Sequence, residues 1–349
     1  MSDARQEQLR EWLDTLELKP RGALQVVSGD ASFRRYFRYP HAERWLIAVD
    51  APPPHESLQP FMAVAQRYLD EGLKVPRVHA FDEAQGFMVL DDFGDQLLFA
   101  QLGEVDQATE LYQRALGLLP RVMRATSTEL GALPEYNAEM LQRELDLFKD
   151  WLVQRHLDTP LSEKQASTWH EVCELLLDNA LNQPQVGVHR DYHSRNIMYT
   201  GEQGHPDLAL IDFQDAVRGP ITYDAVSLLR DCYVKWPTAM VAQSRAELKQ
   251  RLHSEGLLDA QVSDEAFKRW FDLMGIQRHL KAAGIFARLL HRDEKPGYMA
   301  DVPRTLEYIV EVSAEYAELQ PFSVWVAEIH SQVIAAMPGG AISAEIGNG

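Results

Sequence analysis

Residues 186–200 read VGVHRDYHSRNIMYT and residues 208–216 read LALIDFQDA, and these two stretches decide the fold. The first contains Asp191 and, five residues later, Asn196, while the second is a short apolar run followed by Asp212. A side chain five residues past a loop aspartate can turn back toward the same point, and the apolar strand sets Asp212 opposite. The spacing predicts one carboxylate for proton transfer and two oxygen-bearing ligands for a divalent metal.

This order of groups is the one that phosphoryl transfer to a hydroxyl group requires. The base accepts the proton of the attacking hydroxyl, and the metal ligands hold Mg²⁺ against the phosphates of ATP. We therefore predict Asp191 as the catalytic base, Asn196 and Asp212 as metal ligands, and ATP and Mg²⁺ as cofactors. His189 is interpreted as a structural brace of the metal-binding segment.

A second His-Arg-Asp tripeptide, at residues 291–293, serves as an internal control for the first. The residue five positions beyond Asp293 is Tyr298, and no apolar strand ending in an aspartate follows. We interpret this copy as a charged helix end.

Four further residues are candidates for contact with the acceptor or the transferring group. Arg195 would stabilise charge that develops on the phosphoryl group, with a solvated side chain as the alternative. His193, in the same loop, is expected to face the acceptor. Arg230 and Arg278 are candidates for the substrate pocket. An internal ion pair is the alternative for Arg230, and exposure to solvent is the alternative for Arg278.

The nucleotide side departs from the protein-kinase pattern. The loop of residues 28–32 has one glycine, and the strand WLIAVD at residues 45–50 has no Lys. The negative charge of the phosphates must then be met by Arg34 or Arg35. Side chains alternate between the two faces of a strand, so at most one of these arginines is expected to point into the nucleotide cleft. Glu56 is expected to orient one of them.

Three more nucleotide contacts are predicted. Ser32 lies at the end of the single-glycine loop. The backbone at Leu90 and Asp92 is expected to supply the acceptor and donor pair that holds adenine at a hinge.

The predicted fold class is α+β, a bilobal protein-kinase-like fold. Residues 1–93 form an N-lobe with one helix, at residues 58–69, and an antiparallel sheet, with strands at residues 24–27, 32–39, 45–49, 75–78 and 87–90. Residues 94–349 form a mainly helical C-lobe with the catalytic loop and the sugar-binding region. Two helical signals are clearest in this lobe. One is the apolar helix face formed by Leu141, Leu145, Phe148 and Leu152. The other is a capping box formed by Ser162 and Gln165.

Composition narrows the class of partner. At 349 residues, 46% hydrophobic and 25% charged, the chain is typical of a globular protein with two lobes. A net charge of −18 argues against nucleic-acid and anionic-membrane partners. The two cysteines form no metal or disulfide pattern, and no apolar run approaches a membrane span. We expect a cytoplasmic protein with no obligate protein partner, and a buried Cys173.

The motifs HRDYHSRN and IDFQDA resemble those of the aminoglycoside phosphotransferase and choline kinase superfamily. Longer segments resemble one branch of it, the anomeric kinases of N-acetylmuramate and N-acetylglucosamine, with which Gram-negative bacteria recycle cell-wall sugars. These segments are SGDASFRRYFR, VDAPPPHE, DDFGD, DFQDAVRGPITYDAVSLLRDCY and HLKAAGIFARLLHRDEKPGY.

The resemblance implies phosphorylation of the C1 hydroxyl of a small amino sugar with ATP and Mg²⁺, on a path toward UDP-N-acetylmuramate. It also implies Asp191 as base and Asn196 and Asp212 at the metal. The missing strand Lys departs from the superfamily. An aminoglycoside or other small-molecule hydroxyl phosphotransferase remains an alternative, as does an inactive kinase-fold binding module. The preference between the two sugars stays open.

Overall fold

The computed structural model describes residues 4–27, 33–53, 55–103, 105–201 and 207–337. The elements up to residue 156 are α1 Ala4–Thr15, β1 Gln25–Val27, β2 Arg35–His41, β3 Arg44–Asp50, α2 Gln59–Asp70, β4 Val78–Asp82, β5 Phe87–Asp91, a 3₁₀ helix Leu98–Gln101, α3 Val105–Arg124, β6 Ser127–Thr128, β7 Gly131–Ala132, α4 Ala138–Leu147 and a π-helix Phe148–His156. The later elements are α5 Glu163–Leu181, β8 Gln185–Val188, β9 Ile197–Tyr199, β10 Leu208–Leu210, β11 Val217–Pro220, α6 Tyr223–Leu229, α7 Thr238–Ser254, α8 Asp264–Asp293, 3₁₀ helices Pro296–Asp301 and Ala317–Leu319, α9 Val302–Ser313 and α10 Gln320–Ala336.

The chain divides into two compact units. The first combines Met1–Leu133 with His189–Ala216, and the second combines Pro134–Val188 with Val217–Gly349. The predicted catalytic loop therefore belongs to the same unit as the N-terminal sheet. The lobe boundary at residue 93 stays a prediction.

A five-stranded antiparallel sheet dominates the first unit, as predicted. Its strand order is β1-β2-β3-β5-β4. One face packs against α1, which was not expected because its sequence is largely polar. Leu9 and Leu13 of this helix are fully buried against Phe37, Ala48 and Phe87 of the sheet, and this contact explains why the helix forms.

Two predicted strands have other bounds in the structure. The prediction of a strand at residues 75–78 is wrong in position, because β4 spans Val78–Asp82. Pro76 has no N–H to donate to a ladder, so the strand begins after it. The return strand begins at Arg35 rather than at Ser32, and Ser32 itself lies outside the described residues.

The second unit is mainly helical and confirms the helix signals. Ser162 and Gln165 form the predicted capping box at the start of α5. The predicted apolar face is fully buried, although the helix changes to π geometry at Phe148. The control tripeptide ends α8, and Glu294 closes the helix with φ 55°. The buried residues of this face are Leu141, Leu145, Phe148 and Leu152.

The remaining bulk predictions concern cysteine and membrane contact. Cys173 is buried, as expected, and burial raises the pKa of its thiol to about 12. None of the described helices is long and apolar enough to cross a bilayer.

Candidate active site

Strands β9 and β10 form an antiparallel pair that brings the two predicted metal ligands together. Ile197 pairs with Leu210 in this ladder. The N–H of Ile211 donates a hydrogen bond to the carbonyl of Asn196 at 3.1 Å. The side chains beyond the paired strand ends consequently meet, and Nδ2 of Asn196 donates to Oδ2 of Asp212 at 3.2 Å.

The amide of Asn196 also holds the predicted base. Its Nδ2 donates to the backbone carbonyl of Asp191 at 3.1 Å. The N–H of His193 donates to the same carbonyl at 3.1 Å, and the N–H of Asn196 donates to the carbonyl of His193 at 2.9 Å. Asp191, Asn196 and Asp212, which the sequence spacing predicted as one site, therefore lie in one cluster.

Asp212 has an unusual backbone, and its carboxylate accepts hydrogen bonds from two side-chain amides. Its φ of 64° lies in the left-handed region, a conformation that costs on the order of 1 kcal/mol and is concentrated at functional sites. Nε2 of Gln214 donates to Oδ1 of Asp212 at 2.7 Å. Oδ2 thus accepts from the amide of Asn196, and Oδ1 accepts from the amide of Gln214.

His189 packs as a neutral ring beneath this cluster. It is fully buried and contacts the rings of Tyr68, Tyr192 and Phe213. Burial lowers the pKa of His189 to about 4, so the imidazole is uncharged at neutral pH. The ring of His189, two residues before Asp191, thus contacts Phe213, the residue that follows Asp212. A structural brace would make such a contact.

Two hydrogen bonds anchor the predicted catalytic loop to the neighbouring helices. The hydroxyl of Tyr192 donates to the carbonyl of Ala115 in α3 at 2.7 Å. The N–H of Phe99 donates to the carbonyl of Ser194 at 2.9 Å. The guanidinium of Arg195 lies over the Phe99 ring, 4.9 Å from its centre. This stacking gives Arg195 a fixed position in the loop, and its predicted role toward the phosphoryl group stays a prediction.

The donor set fits Mg²⁺ brought by a nucleotide. Asn196 Oδ1 accepts no hydrogen bond from the described residues, because Nδ2 makes the contacts to the loop. With the carboxylate of Asp212 it offers hard oxygen ligands. Within the described ranges, no group of three or more His, Cys, Asp or Glu side chains is placed to hold a metal. Two oxygen ligands suit Mg²⁺, which commonly completes its coordination with water and the phosphates of a nucleotide.

The two candidate phosphate arginines have different partners. Arg34 contacts Glu56, with Nε at 3.0 Å and Nη2 at 2.9 Å from Oε2. Arg35 instead contacts Asp50 with Nη2 at 2.6 Å, and Arg5 of α1 bonds to the same carboxylate. Arg35 therefore lies on the α1 face of the sheet, and Arg34 is the one that Glu56 orients.

The predicted adenine hinge is held by side chains. Leu90 is buried in β5 and pairs with Ile47 of β3. The carboxylate of Asp92 accepts a bidentate contact from Arg38, with Nη2 at 2.9 Å, and one from the N–H of Gly94 at 2.8 Å. These bonds fix the chain where it leaves the sheet, and the nucleotide contacts of Leu90 and Asp92 stay predictions.

Arg230 and Arg278 both lie within the second unit and both have internal partners. Nη2 of Arg230 contacts the fully buried carboxylate of Asp272 at 2.6 Å. Nε of Arg278 donates to Oγ of Ser227 at 2.6 Å, and the side chain is buried rather than solvated. The structure shows the alternative of an internal ion pair for Arg230, and substrate contacts of Arg230 and Arg278 stay predictions.

Two residues at the site were not predicted from the sequence. Gln214 bonds to Asp212, and Arg38 bonds to Asp92. The available signals were weak: Gln214 follows Asp212 by two residues, and Arg38 follows Arg34 by an even number of positions, on the same face of the strand predicted at residues 32–39.

The chain matches the model of the phosphotransferase enzyme family over residues 23–260. It is 41% identical over 340 residues to the N-acetylmuramate/N-acetylglucosamine kinase of Pseudomonas putida, an alignment that covers 94% of this chain and 98% of the relative. It is also 41% identical to the Pseudomonas aeruginosa enzyme of the same name, with 97% and 98% covered.

Solved structures share the fold at low sequence identity. An ethanolamine kinase from Plasmodium vivax superposes with a TM-score of 0.60 at 12% identity, covering 87% of this chain and 84% of that one. A choline kinase from Streptococcus pneumoniae has a TM-score of 0.57 at 15% identity, with 90% and 100% covered. These two show a common kinase-like fold. The family match and the full-length relatives show that the chain belongs to the phosphotransferase enzyme family.

Proposed function

We propose that this enzyme transfers the γ-phosphoryl group of ATP to the C1 hydroxyl of N-acetylmuramate and N-acetylglucosamine, with Mg²⁺ as cofactor. The observation that carries the proposal is the cluster of Asp191, Asn196 and Asp212 in a chain that is 41% identical, over 94% of its length, to a kinase named for these sugars. The product would feed the recycling of cell-wall sugars toward UDP-N-acetylmuramate.

Each residue of the cluster has one task in this reaction. Asp191 accepts the proton of the sugar hydroxyl as the new phosphate ester forms. Asn196 and Asp212 hold Mg²⁺, which neutralises negative charge on the phosphate oxygens. Arg34 adds a protein cation near the phosphates, and Arg195 is a second candidate for this role.

The nucleotide and sugar occupy different parts of the chain in this proposal. Residues 1–93 form the nucleotide-covering lobe, in which Leu90 and Asp92 bind adenine through their backbone, with Ser32 as a further contact. Residues 94–349 carry the catalytic loop and the sugar-binding region, with His193, Arg230 and Arg278 as candidate sugar contacts. We expect the enzyme to act in the cytoplasm, where ATP is available.

A phosphorus NMR spectrum of the product tests the position of transfer. The protein is incubated with N-acetylmuramate, ATP and Mg²⁺, and the Asp191→Asn variant serves as the control for non-enzymatic phosphorylation. We expect a resonance coupled to the anomeric proton, which a sugar 1-phosphate has and a 6-phosphate lacks. A product without this coupling would contradict phosphorylation at C1.

A thermal-shift comparison tests the class of acceptor. N-acetylmuramate and N-acetylglucosamine are compared with kanamycin in the presence of Mg²⁺ and a non-hydrolysable ATP analogue. We expect the amino sugars to raise the midpoint of unfolding and kanamycin to leave it unchanged, because binding to the folded state alone stabilises it. Stabilisation by kanamycin alone would favour an aminoglycoside phosphotransferase.

A further inference from the structure

The side chain of Gln214 uses only one end of its amide within the described residues. Nε2 donates to Oδ1 of Asp212 at 2.7 Å. Oε1 is buried and accepts no hydrogen bond from any described residue. The amide therefore makes one strong contact, to a charged group, and leaves a buried acceptor without a donor.

This arrangement is unfavourable for folding stability. A buried acceptor that loses its water and gains no partner carries a desolvation penalty that an apolar side chain of the same length avoids. Folding stability alone does not explain a glutamine at this position. Within the described residues, the hydrogen bond of its side chain goes to Asp212.

The carboxylate of Asp212 depends on such a contact for its direction. Asp212 lies outside β10, in a left-handed backbone conformation, and the carboxylate torsion of an aspartate has a broad energy minimum. The contact from Asn196 is 3.2 Å long, whereas the one from Gln214 is 2.7 Å. Gln214 is thus the closer of the two amide donors to the carboxylate.

We propose that Gln214 is a positioning residue, which fixes the carboxylate of Asp212 for the metal–nucleotide complex. The proposal rests on the proposed function, because it assumes that Asp212 binds Mg²⁺. The buried Oε1 of Gln214 fits the same role, because Mg²⁺ keeps bound water molecules. The O–H groups of such water molecules are donors from which Oε1 could accept a hydrogen bond. Residues that hydrogen-bond to a metal ligand hold that ligand in position. Replacing such a residue commonly lowers metal affinity by about 10–100-fold.

The test is the variant Gln214→Met, which keeps the length of the side chain and removes both ends of the amide. The half-saturating concentration of Mn²⁺ in the presence of ADP is measured by electron paramagnetic resonance. We expect it to rise about 10–100-fold. We expect the unfolding midpoint without ligands, and the affinity for ADP in the presence of a chelator, to be unchanged or higher.

Gln66→Met is the matched control. Nε2 of Gln66 donates to Oδ1 of Asp70 at 2.9 Å on the exposed surface of α2, so the same amide–carboxylate contact is removed away from the cluster. We expect this variant to bind Mn²⁺ like the parent protein.

Three results would overturn the proposal. One is an unchanged half-saturating concentration of Mn²⁺ in Gln214→Met. Another is an equal loss in Gln66→Met, and the third is a loss of metal-free ADP binding as large as the loss of Mn²⁺ binding. If the parent protein itself shows no metal-dependent nucleotide binding, the proposed function fails instead, and the experiment separates the two failures.

Discussion

The guanidinium of Arg34 lies against the carboxylate of Glu56, with Nε at 3.0 Å and Nη2 at 2.9 Å from the same oxygen. The pair joins the residue before β2 to the segment before α2, and both side chains are only 13% exposed. Burial works to lower the pKa of Arg34, but Tyr36 and Glu56 outweigh it, so this pKa lies above its ordinary value. Arg34 is therefore a fixed, charged group of the kind that protein kinases build from a strand Lys and a helix Glu.

The first prediction is that Arg34→Ala raises the KM for ATP and lowers kcat, with little effect on sugar binding. A charge-assisted contact is worth about 1.5–3 kcal/mol, which corresponds to roughly 10–100-fold in kcat/KM. Steady-state kinetics with ATP and sugar varied separately measure both effects. Wild-type ATP kinetics in this variant would contradict the assignment and make Arg195 the next residue to replace.

Arg35→Ala is the matched control for Arg34→Ala. Arg35 shares the buried carboxylate of Asp50 with Arg5, so its loss weakens an ion pair on the opposite face of the sheet. We expect a lower free energy of unfolding in urea but a near-normal KM for ATP.

The second prediction concerns proton transfer. Asp191→Asn removes the acceptor of the hydroxyl proton and leaves Asn196 and Asp212 in place, so kcat should fall by about 10²–10⁴ while ATP still binds. Asp212→Ala should also abolish metal-dependent nucleotide binding. Single-turnover kinetics and isothermal titration with ATP measure the two effects.

Asp293→Asn, in the control tripeptide, should keep turnover within a few-fold of the parent. Asp293 lies at the end of α8 and contacts Arg292. Near-normal turnover in Asp191→Asn, or a comparable loss in Asp293→Asn, would count against the assignment of Asp191.

The cluster of Asp191, Asn196 and Asp212 was predictable because it is local in sequence. Asn196 follows Asp191 by five residues, and Asp212 ends a short apolar run, so a loop and one strand pair are enough to bring them together. The capping box of Ser162 and Gln165 was predictable for the same reason. In each case the contacts depend on neighbours within a few residues or on one hairpin.

The features that were missed depend on distant contacts or on single dihedral angles. Helix α1 is largely polar, and only its packing against the sheet through Leu9 and Leu13 explains it. The bond from Gln214 to Asp212 is made where Asp212 has a left-handed backbone, and no residue pattern indicates this conformation. The choice between Arg34 and Arg35 required the positions of Glu56 and Asp50.

The third prediction concerns acid stability. His279 is buried, its Nε2 lies 2.8 Å from the carbonyl of Arg230, and its ring stacks on Tyr308. Burial, with the charges of Arg278 and Arg230, lowers the pKa of His279 to about 3. The unfolded chain binds a proton near its ordinary pKa of about 6.5. Stability from this group is therefore complete above pH 6.5 and is lost as the pH falls toward 3.

Urea unfolding between pH 7 and pH 4 measures this effect. As the pH falls, we expect the free energy of unfolding to decrease more steeply in the parent than in His279→Gln, which cannot bind the proton. The difference between the two slopes should be up to about 1.4 kcal/mol per pH unit. Equal slopes in the parent and His279→Gln would show that His279 does not bind a proton on unfolding.

The last prediction concerns the packing of α8 against the start of the π-helix. A Cβ atom on Gly284 would lie 2.3 Å from the backbone carbon of Leu147 and 2.5 Å from the nitrogen of Phe148. Alanine is a better helix former than glycine by about 1 kcal/mol, but these neighbours are backbone atoms that cannot move independently. We expect Gly284→Ala to lower the free energy of unfolding by about 2 kcal/mol or more, the cost of overpacking a core. Gly103→Ala, whose Cβ meets nothing within 4 Å, should be neutral, and equal stability of the two variants in urea would contradict close backbone packing at Gly284.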